Sequence, residues 1–262
     1  MASFSEELAF ALEATHKAAE VALGRFGGDL QSKQKSDGTW ATEADWGTEA
    51  ALREQIGRRY PDHNILGEEE GLTAATGGPP VDGAPMWVID PIDGTNNYMA
   101  SIPIWATLVG LRMDGDTVLG VVHAPALGET YHAAVGGGAF MNGSPISVDD
   151  VTSIEDALVV HAGVRRLCDA GFTHEFLEIV ADARRDRGFG DFWGHMLVAR
   201  GAASVMLEPE LSIWDVAALQ PIVSEAGGRL TTFDGDPWIS EGSVLTTNGT
   251  LHDSLVARLS KI

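Results

Sequence analysis

The sequence predicts a layered α/β fold, and three observations carry that expectation. Apolar strand-like runs and helical stretches alternate in both halves of the chain. Its 262 residues, 44% of them hydrophobic, suffice for a large core in one domain or two tightly packed halves. No long polar tract interrupts the alternation, so the chain reads as globular throughout.

Composition narrows the function classes. A net charge of −21 arises from 38 acidic and 17 basic residues, only four of them lysines. Such a chain repels nucleic acid and anionic membranes, and would repel an anionic substrate unless cations are bound. For most of these acids, surface solvation is the default explanation. No run of about 18 apolar residues occurs, so no membrane-spanning helix is expected. Glu6, Glu7, Glu13 and Glu20 exclude a secretory h-region at the start. The single cysteine, Cys168, cannot form an internal disulfide and fits a reducing cytoplasm.

Taken in order, Ser3-x-x-Glu6 is a capping-box pattern, followed by a helix whose face carries Leu8, Ala11, Leu12, Thr15, Ala18, Ala19 and Ala22 and which ends at Gly27-Gly28. Asp37-Gly38 marks a hairpin tip. Thr42-Glu43-Ala44-Asp45 opens a second helix that closes before Pro61, and Asp45 in its first turn reads, by itself, as a dipole or capping residue. Asn64 to Gly67 is a strand running into Glu68-Glu69-Glu70, a triplet that normally means a solvated loop. Thr73 to Pro85 reads as a surface loop. Met86 to Ile89 is a buried strand expected to stop at Asp90-Pro91, because proline donates nothing to a ladder. Strands follow at 104–112, 117–123, 130–135 and 139–142, with Asp114-Gly115 as a hairpin turn. A composition change near Ile146 to Ser153 divides residues 1–148 from 149–262 within one compact unit. The second part offers a strand at 157–160, a helix over 173–187, a helix over 191–201 with Leu197, Val198 and Ala202 inward, a strand at 204–207, a helix from Ile213 to Gly227-Gly228, strands at 229–233 and 243–247, and a closing helix over 252–259.

The chemistry concentrates where strands end. Asp90 and Asp93 leave a strand together and are followed by Gly94, Thr95 and a helix start. Hard divalent cations take carboxylate and carbonyl oxygen, and amides at a helix start take phosphate. The competing reading is an Asp-Gly turn with solvated acids. Glu68 ends another strand and Asp215 begins a helix, and strand ends of an α/β layer converge on one crevice. Carboxylates gathered without cations repel, so a real cluster implies metal, and two cations bridging one phosphate enable in-line displacement.

With these residues in place, the chain resembles the inositol monophosphatase family of Mg²⁺-dependent, lithium-sensitive phosphatases. Asp90-Pro91-Ile92-Asp93-Gly94-Thr95 is similar to its first signature and Trp214-Asp215-Val216-Ala217-Ala218 to its second. Gly67-Glu68-Glu69 and Thr42-x-Ala44-Asp45 fit in the same order, and the resemblance spans nearly the whole chain. It implies the alternating α-β-α-β-α sandwich shared with fructose bisphosphatase, with the metal site in 1–148 and the substrate elements in 149–262. It also implies that Glu68, Asp90 and the Ile92 carbonyl hold one Mg²⁺, that Asp90, Asp93 and Asp215 hold a second, and that a weaker third lies near Glu68, with Mn²⁺ as a substitute. Gly94 and Thr95 amides, beside Asp93, would cradle the phosphate. Asp45 and the Thr95 hydroxyl would orient and deprotonate the attacking water, with Glu68 counted among the catalytic groups. One metal would lower the water's pKa while the other stabilised the leaving oxygen. A small phosphorylated metabolite as substrate and a homodimer are the implied partners.

Substrate choice is expected in the second half. Inositol-specific members carry small residues where this chain has Phe189-Gly190-Asp191-Phe192-Trp193. Gly190, Asp191, Glu208 and Asp215 are the candidate substrate contacts, and two acids beyond the metal set suit a cationic alcohol. The Gly-Asp-Phe segment and Leu207-Glu208-Pro209-Glu210-Leu211-Ser212-Ile213-Trp214-Asp215 resemble the histidinol-phosphate phosphatase branch of the superfamily. The competing reading of Asp191 is a helix cap. Rival substrates are inositol 1-phosphate, fructose bisphosphate and adenosine 3′,5′-bisphosphate. A metal-binding regulator without catalysis is the alternative class, and intact Asp45 and Thr95 count against it. His123, His132, His161 and His195 lack zinc-site spacing, and His195 reads as core packing. Cys168 has no evident base beside it, and Gly136-Gly137-Gly138 reads as a turn. Arg184, Arg185 and Arg187 receive no role.

Overall fold

A computed structural model describes residues 4–35 and 40–260. Ser3, of the expected capping box, and Asp37-Gly38, the expected hairpin tip, lie outside the described residues. Helix α1 (Ser5–Leu23) buries a stripe of small residues, Ala11, Ala14, Thr15, Ala18, Ala19 and Ala22, and is capped at Gly24, short of Gly27-Gly28. Strands β1 (Ser32–Gln34) and β2 (Trp40–Thr42) pair as a hairpin and lead into α2 (Glu43–Arg59). Next come β3 (Asn64–Gly67), β4 (Gly71–Ala74), β5 (Met86–Asp93), the short α3 (Thr95–Met99), β6 (Ala106–Met113), β7 (Asp116–Ala124), β8 (Glu129–Ala134), β9 (Ala139–Met141) and β10 (Ser144–Pro145). The remainder is β11 (Leu158–His161), α4 (Val164–Asp169), α5 (Thr173–Asp182), β12 (Arg185–Arg187), α6 (Asp191–Ala199), β13 (Val205–Ser212), α7 (Ile213–Val216), α8 (Leu219–Glu225), β14 (Arg229–Thr231), β15 (Glu241–Thr247) and α9 (His252–Leu259).

Strands β3 to β10 make an eight-stranded sheet, ordered β10-β9-β8-β7-β6-β5-β3-β4, antiparallel except where β3 runs parallel to β5. A five-stranded sheet, ordered β12-β11-β13-β15-β14, holds the rest. α1 and α2 cover one face of the large sheet, where Leu52, Ile56, Trp87, Val109 and Val121 pack. On its other face, Phe192 and Met196 of α6 and Leu219, Ile222 and Val223 of α8 meet Leu108, Val122 and Tyr131. α6 also meets the small sheet through Val160 and Met206. α4, α5 and α9 close that sheet's far side with Leu167, Phe176, Leu255 and Leu259. The order of layers is therefore α-β-α-β-α, as the family resemblance implies. Among the described residues, no helix is long and apolar enough to cross a membrane.

Several local expectations are corrected. The central strand does not stop at Asp90, because β5 continues to Asp93 with every residue from Trp87 onward buried. Its ladder to β6 slips between Asp90↔Leu108 and Asp93↔Ala106, leaving Pro91 in a bulge that asks for no donor. The Pro91 carbonyl accepts from Thr107 Oγ1 at 2.8 Å instead. β13 repeats this device around Pro209, slipping between Glu208 and Leu211 and running on to Ser212. The loop expected at 73–85 begins with the edge strand β4. β6 starts at Ala106 and not at Ile104. The helix expected over 173–187 ends at Asp182, where Ala183 turns extended, and Arg185–Arg187 become a charged, exposed edge strand parallel to β11. α4 was not foreseen, and Ala202 is exposed.

The single helix expected from Ile213 is two, α7 and α8, separated at Ala217-Ala218. Pro221 has no N–H for the Ala217 carbonyl four residues back, so the ladder breaks there. The break lies directly on the large sheet. A Cβ on Gly120 would stand 2.0 Å from the Ala218 carbonyl oxygen, and one on Gly110 3.2 Å from the Ala217 Cβ.

Candidate active site

Two backbone devices bring three acids together. The β5 bulge turns Asp90 and Asp93 to the same end of the strand, where Asp90 Oδ1 accepts from the Ile92 amide at 3.0 Å and Asp93 Oδ2 from the Phe192 amide at 2.6 Å. Asp215 sits in the first turn of α7, its Oδ2 accepting from the Ser212 amide at 2.7 Å. One carboxylate oxygen from each of Asp90, Asp93 and Asp215 falls within 4.8 Å of the others. Burial, then mutual repulsion, raises Asp90 and Asp93 well above the ordinary carboxylate range; Glu68 presses hardest on Asp90 and Asp191 on Asp93. Asp215 is pushed up to about 6, first by burial. An all-oxygen donor set this close and this costly to ionise unaided fits a hard divalent cation.

Glu68 lines the same pocket with Asp90, Ile92, Gly94 and Thr95. It stands outside the trio, and Lys35 reaches it from the end of β1. Lys35 Nζ lies 2.8 Å from Glu68 Oε1 and 2.7 Å from Glu69 Oε1. Burial still moves Glu68 up to about 7, against the opposing pull of that ammonium. Behind the turn, Glu49 accepts the Glu69 and Glu70 amides at 2.9 and 3.0 Å and pairs with Arg53 at 2.9 Å. A Cβ at Gly67 would sit 2.2 Å from Glu49 Oε1, so a larger residue there would displace the Glu49 carboxylate from those amides. The acidic triplet is thus a buttressed turn and not a solvated loop.

Asp45 combines both roles weighed for it. Its Oδ2 accepts from the Thr42 amide and hydroxyl at 2.7 and 2.6 Å, closing a capping box, while Oδ1 faces Thr95 Oγ1 at 3.3 Å. Thr95 Oγ1 also lies 3.0 Å from the Ile92 carbonyl. Fully buried, Asp45 is raised to about 6, chiefly by burial. Gly94, at φ 88°, turns the chain into α3, whose first amides have no acceptor within the helix. A Cβ at Gly94 would meet the Ile104 carbonyl oxygen at 3.0 Å and Asp191 Oδ2 at 3.4 Å.

Asp191 therefore stands beside Gly94. It does not cap α6: the N-cap is Gly190, and Asp191 itself takes φ 52°, a left-handed conformation unusual for a side-chain-bearing residue. Its carboxylate accepts from Asn97 Nδ2 at 3.2 Å and is raised to about 7 by burial and then by Glu208. Glu208, 1% exposed on the β13 bulge, accepts from the Asp191 amide at 3.4 Å, with Arg166 Nη1 at 3.6 Å from the same oxygen. Trp193 packs edge-on against Phe189 and donates to Glu129. Arg184 is exposed just before the outer edge strand, and Arg185 and Arg187 are exposed on it. The amides of Gly136 and Gly138 bind the Glu225 carboxylate at 2.8 and 2.7 Å, so that turn serves the fold.

Lys35, Glu49, Asn97 and Arg166 were not singled out from sequence. Only Glu49 left a signal, four residues after Asp45 and four before Arg53 on one helix face.

Comparison with known proteins agrees with this geometry. The histidinol-phosphatase of Mycobacterium tuberculosis is 39% identical over 97% of this chain and 98% of its own length. The inositol-1-monophosphatase of Synechocystis is 35% identical over 88% of this chain and 80% of its own. A solved Thermotoga maritima IMPase superposes with a TM-score of 0.86 at 29% identity, covering 97% of this chain and 96% of that one. Residues 4–262 match the inositol monophosphatase family, and the chain belongs to that family of phosphoric monoester hydrolases.

Proposed function

We propose that the chain hydrolyses histidinol phosphate, with Mg²⁺ held by Asp90, Asp93 and Asp215 and, through Glu68 and the Ile92 carbonyl, by a neighbouring position. When bound, such cations supply the positive charge that lowers a water's pKa and stabilises the leaving oxygen. The protein's own groups do the rest. Thr95 Oγ1, between Asp45 Oδ1 and the Ile92 carbonyl, orients the water and passes its proton to Asp45. The Gly94 and Thr95 amides hold the phosphoryl oxygens at the start of α3. Burial of Asp45 makes it basic enough to take the proton near neutral pH.

The observation that carries the substrate assignment is a pair of acids outside the metal-type trio, the half-buried Asp191 and the buried Glu208, linked through the Asp191 amide. A polyol offers no positive charge to such a pair, whereas an ammonium or imidazolium does. The similarity to the M. tuberculosis histidinol-phosphatase supports the same reading. Inositol 1-phosphate is the second reading, supported by the similarity to the Synechocystis protein. Phosphate release with Mg²⁺ over histidinol phosphate, inositol 1-phosphate, fructose bisphosphate and adenosine 3′,5′-bisphosphate separates them. A kcat/KM on histidinol phosphate no higher than on the others rejects the proposal, and no release from any of them would favour the non-catalytic regulator.

A further inference from the structure

His195, on α6, is fully buried and takes no part in the reading above. Its ring lies between two polar side chains from the small sheet. Nδ1 is 2.8 Å from Thr246 Oγ1 on β15, and Nε2 is 3.4 Å from Glu208 Oε2 on β13. Both Nε2 and Glu208 Oε2 lack a hydrogen-bond partner among the described residues, although both are enclosed. Two orphaned polar atoms facing each other inside a protein are unfavourable unless a small movement joins them.

The tautomer follows from this placement. An Nε2 lone pair aimed at a carboxylate would repel it, so the ring proton belongs on Nε2 and the Thr246 hydroxyl donates to Nδ1. The opposite oxygen of Glu208 faces the Asp191 amide at 3.4 Å and Arg166 at 3.6 Å. Glu208 is thus approached from behind by an imidazole N–H and from the pocket side by the groups around Asp191. A leucine would satisfy packing on α6, whose neighbours Met196 and Val198 are fully buried and apolar. Packing alone does not call for a histidine aimed at a carboxylate and steadied by a hydroxyl.

We infer that His195, oriented by Thr246, is a positioning residue that fixes where Glu208 presents its carboxylate to the cationic part of the substrate. This rests on the proposal that the substrate is a cationic phosphate ester. It adds a selectivity element on the buried side of the pocket.

The test compares wild type, His195→Leu, His195→Gln and Thr246→Val, each checked for folding by its melting temperature. Substrates are histidinol phosphate and p-nitrophenyl phosphate, whose leaving group carries no positive charge. For His195→Leu, the rise in KM on histidinol phosphate should exceed that on the aryl phosphate by about tenfold, the scale of one lost hydrogen bond to a charged group. His195→Gln, which keeps an N–H, should recover part of that selectivity. Thr246→Val should shift it the same way by roughly threefold, through the orienting hydroxyl alone. Equal losses on both substrates, in His195→Leu or, if that variant does not fold, in Thr246→Val, overturn the inference and leave His195 a core residue. A wild type inactive on histidinol phosphate removes the substrate reading and this inference together. An active wild type with unselective variants removes the inference alone.

Discussion

The strands β5 and β13 use one backbone device for two purposes. Each is a buried central strand carrying an acid followed by proline, Asp90-Pro91 and Glu208-Pro209, and each slips register at that point. Each then delivers the chain to a short helix whose first turn enters the pocket. What differs is the company the acid keeps. Asp90 is surrounded by other carboxylates, and Glu68, Asp93, Asp215 and Asp45 all raise its pKa. Glu208, although it also raises Asp191, Asp93 and Asp215, has nitrogen groups as its contacts, with His195, Arg166 and the Asp191 amide around it. Under the proposed reading, the same bulge makes a cation seat in one sheet and a selectivity contact in the other. Local sequence supplies the kink, and the opposing layer decides its chemistry.

That contrast can be broken by substitution. Asp90→Asn should abolish Mg²⁺-dependent phosphate release on every substrate, a loss on the order of 10³-fold or more, because it removes charge from the seat itself. Asp45→Asn should cost roughly 10²- to 10³-fold, also on every substrate, as expected for loss of a general base, with Mg²⁺ binding retained by calorimetry. Asp191→Ala, on the β13 side, should reduce kcat/KM on histidinol phosphate by about 10²-fold, and far less on inositol phosphate or an aryl phosphate. A uniform loss across the three would remove the division of labour between the two bulges.

A smaller effect sharpens the comparison through pH. Asp45 and Asp215 are raised to about 6 and Glu68 to about 7, above their unfolded values near 4. Between those limits the folded chain binds more protons than the unfolded chain, so stability falls as pH rises. Without divalent cation, the contribution is fully present below about pH 4 and lost through pH 6 to 7. Melting temperatures in EDTA should decline over that window, and Mg²⁺, by favouring the ionised acids, should flatten the decline. A cation-free protein that becomes more stable over the same range would contradict the clustered-acid account.

The parts legible from sequence were those fixed by short-range chemistry. Hydrophobic alternation foretold the layers, and the acid-bearing element ends foretold which residues share a pocket. Asp45 illustrates the limit, since its capping box is local but its contact with Thr95 joins α2 to α3. Pro91 and Pro209 misled because the rule that proline ends a strand ignores a partner ladder able to slip past it. The split at Ala217-Ala218 follows from Pro221 and was open to a local reading, whereas the seating of that junction on Gly120 and the contact of Asp191 with Asn97 join residues remote in sequence. Lys35 could not be read at all, since its partners are separated from it by all of α2.

The seating of Ala217-Ala218 on Gly110 and Gly120 also ties two distant tasks together. Asp215 lies two residues before Ala217-Ala218, where the α7–α8 junction rests on the bare backbone of the large sheet with no clearance for even one methyl at position 120. Interior fit there is a calibration of the pocket. Enlarging Gly120 to alanine would be felt as a weakened hold on magnesium, in a protein whose charged groups are all still present.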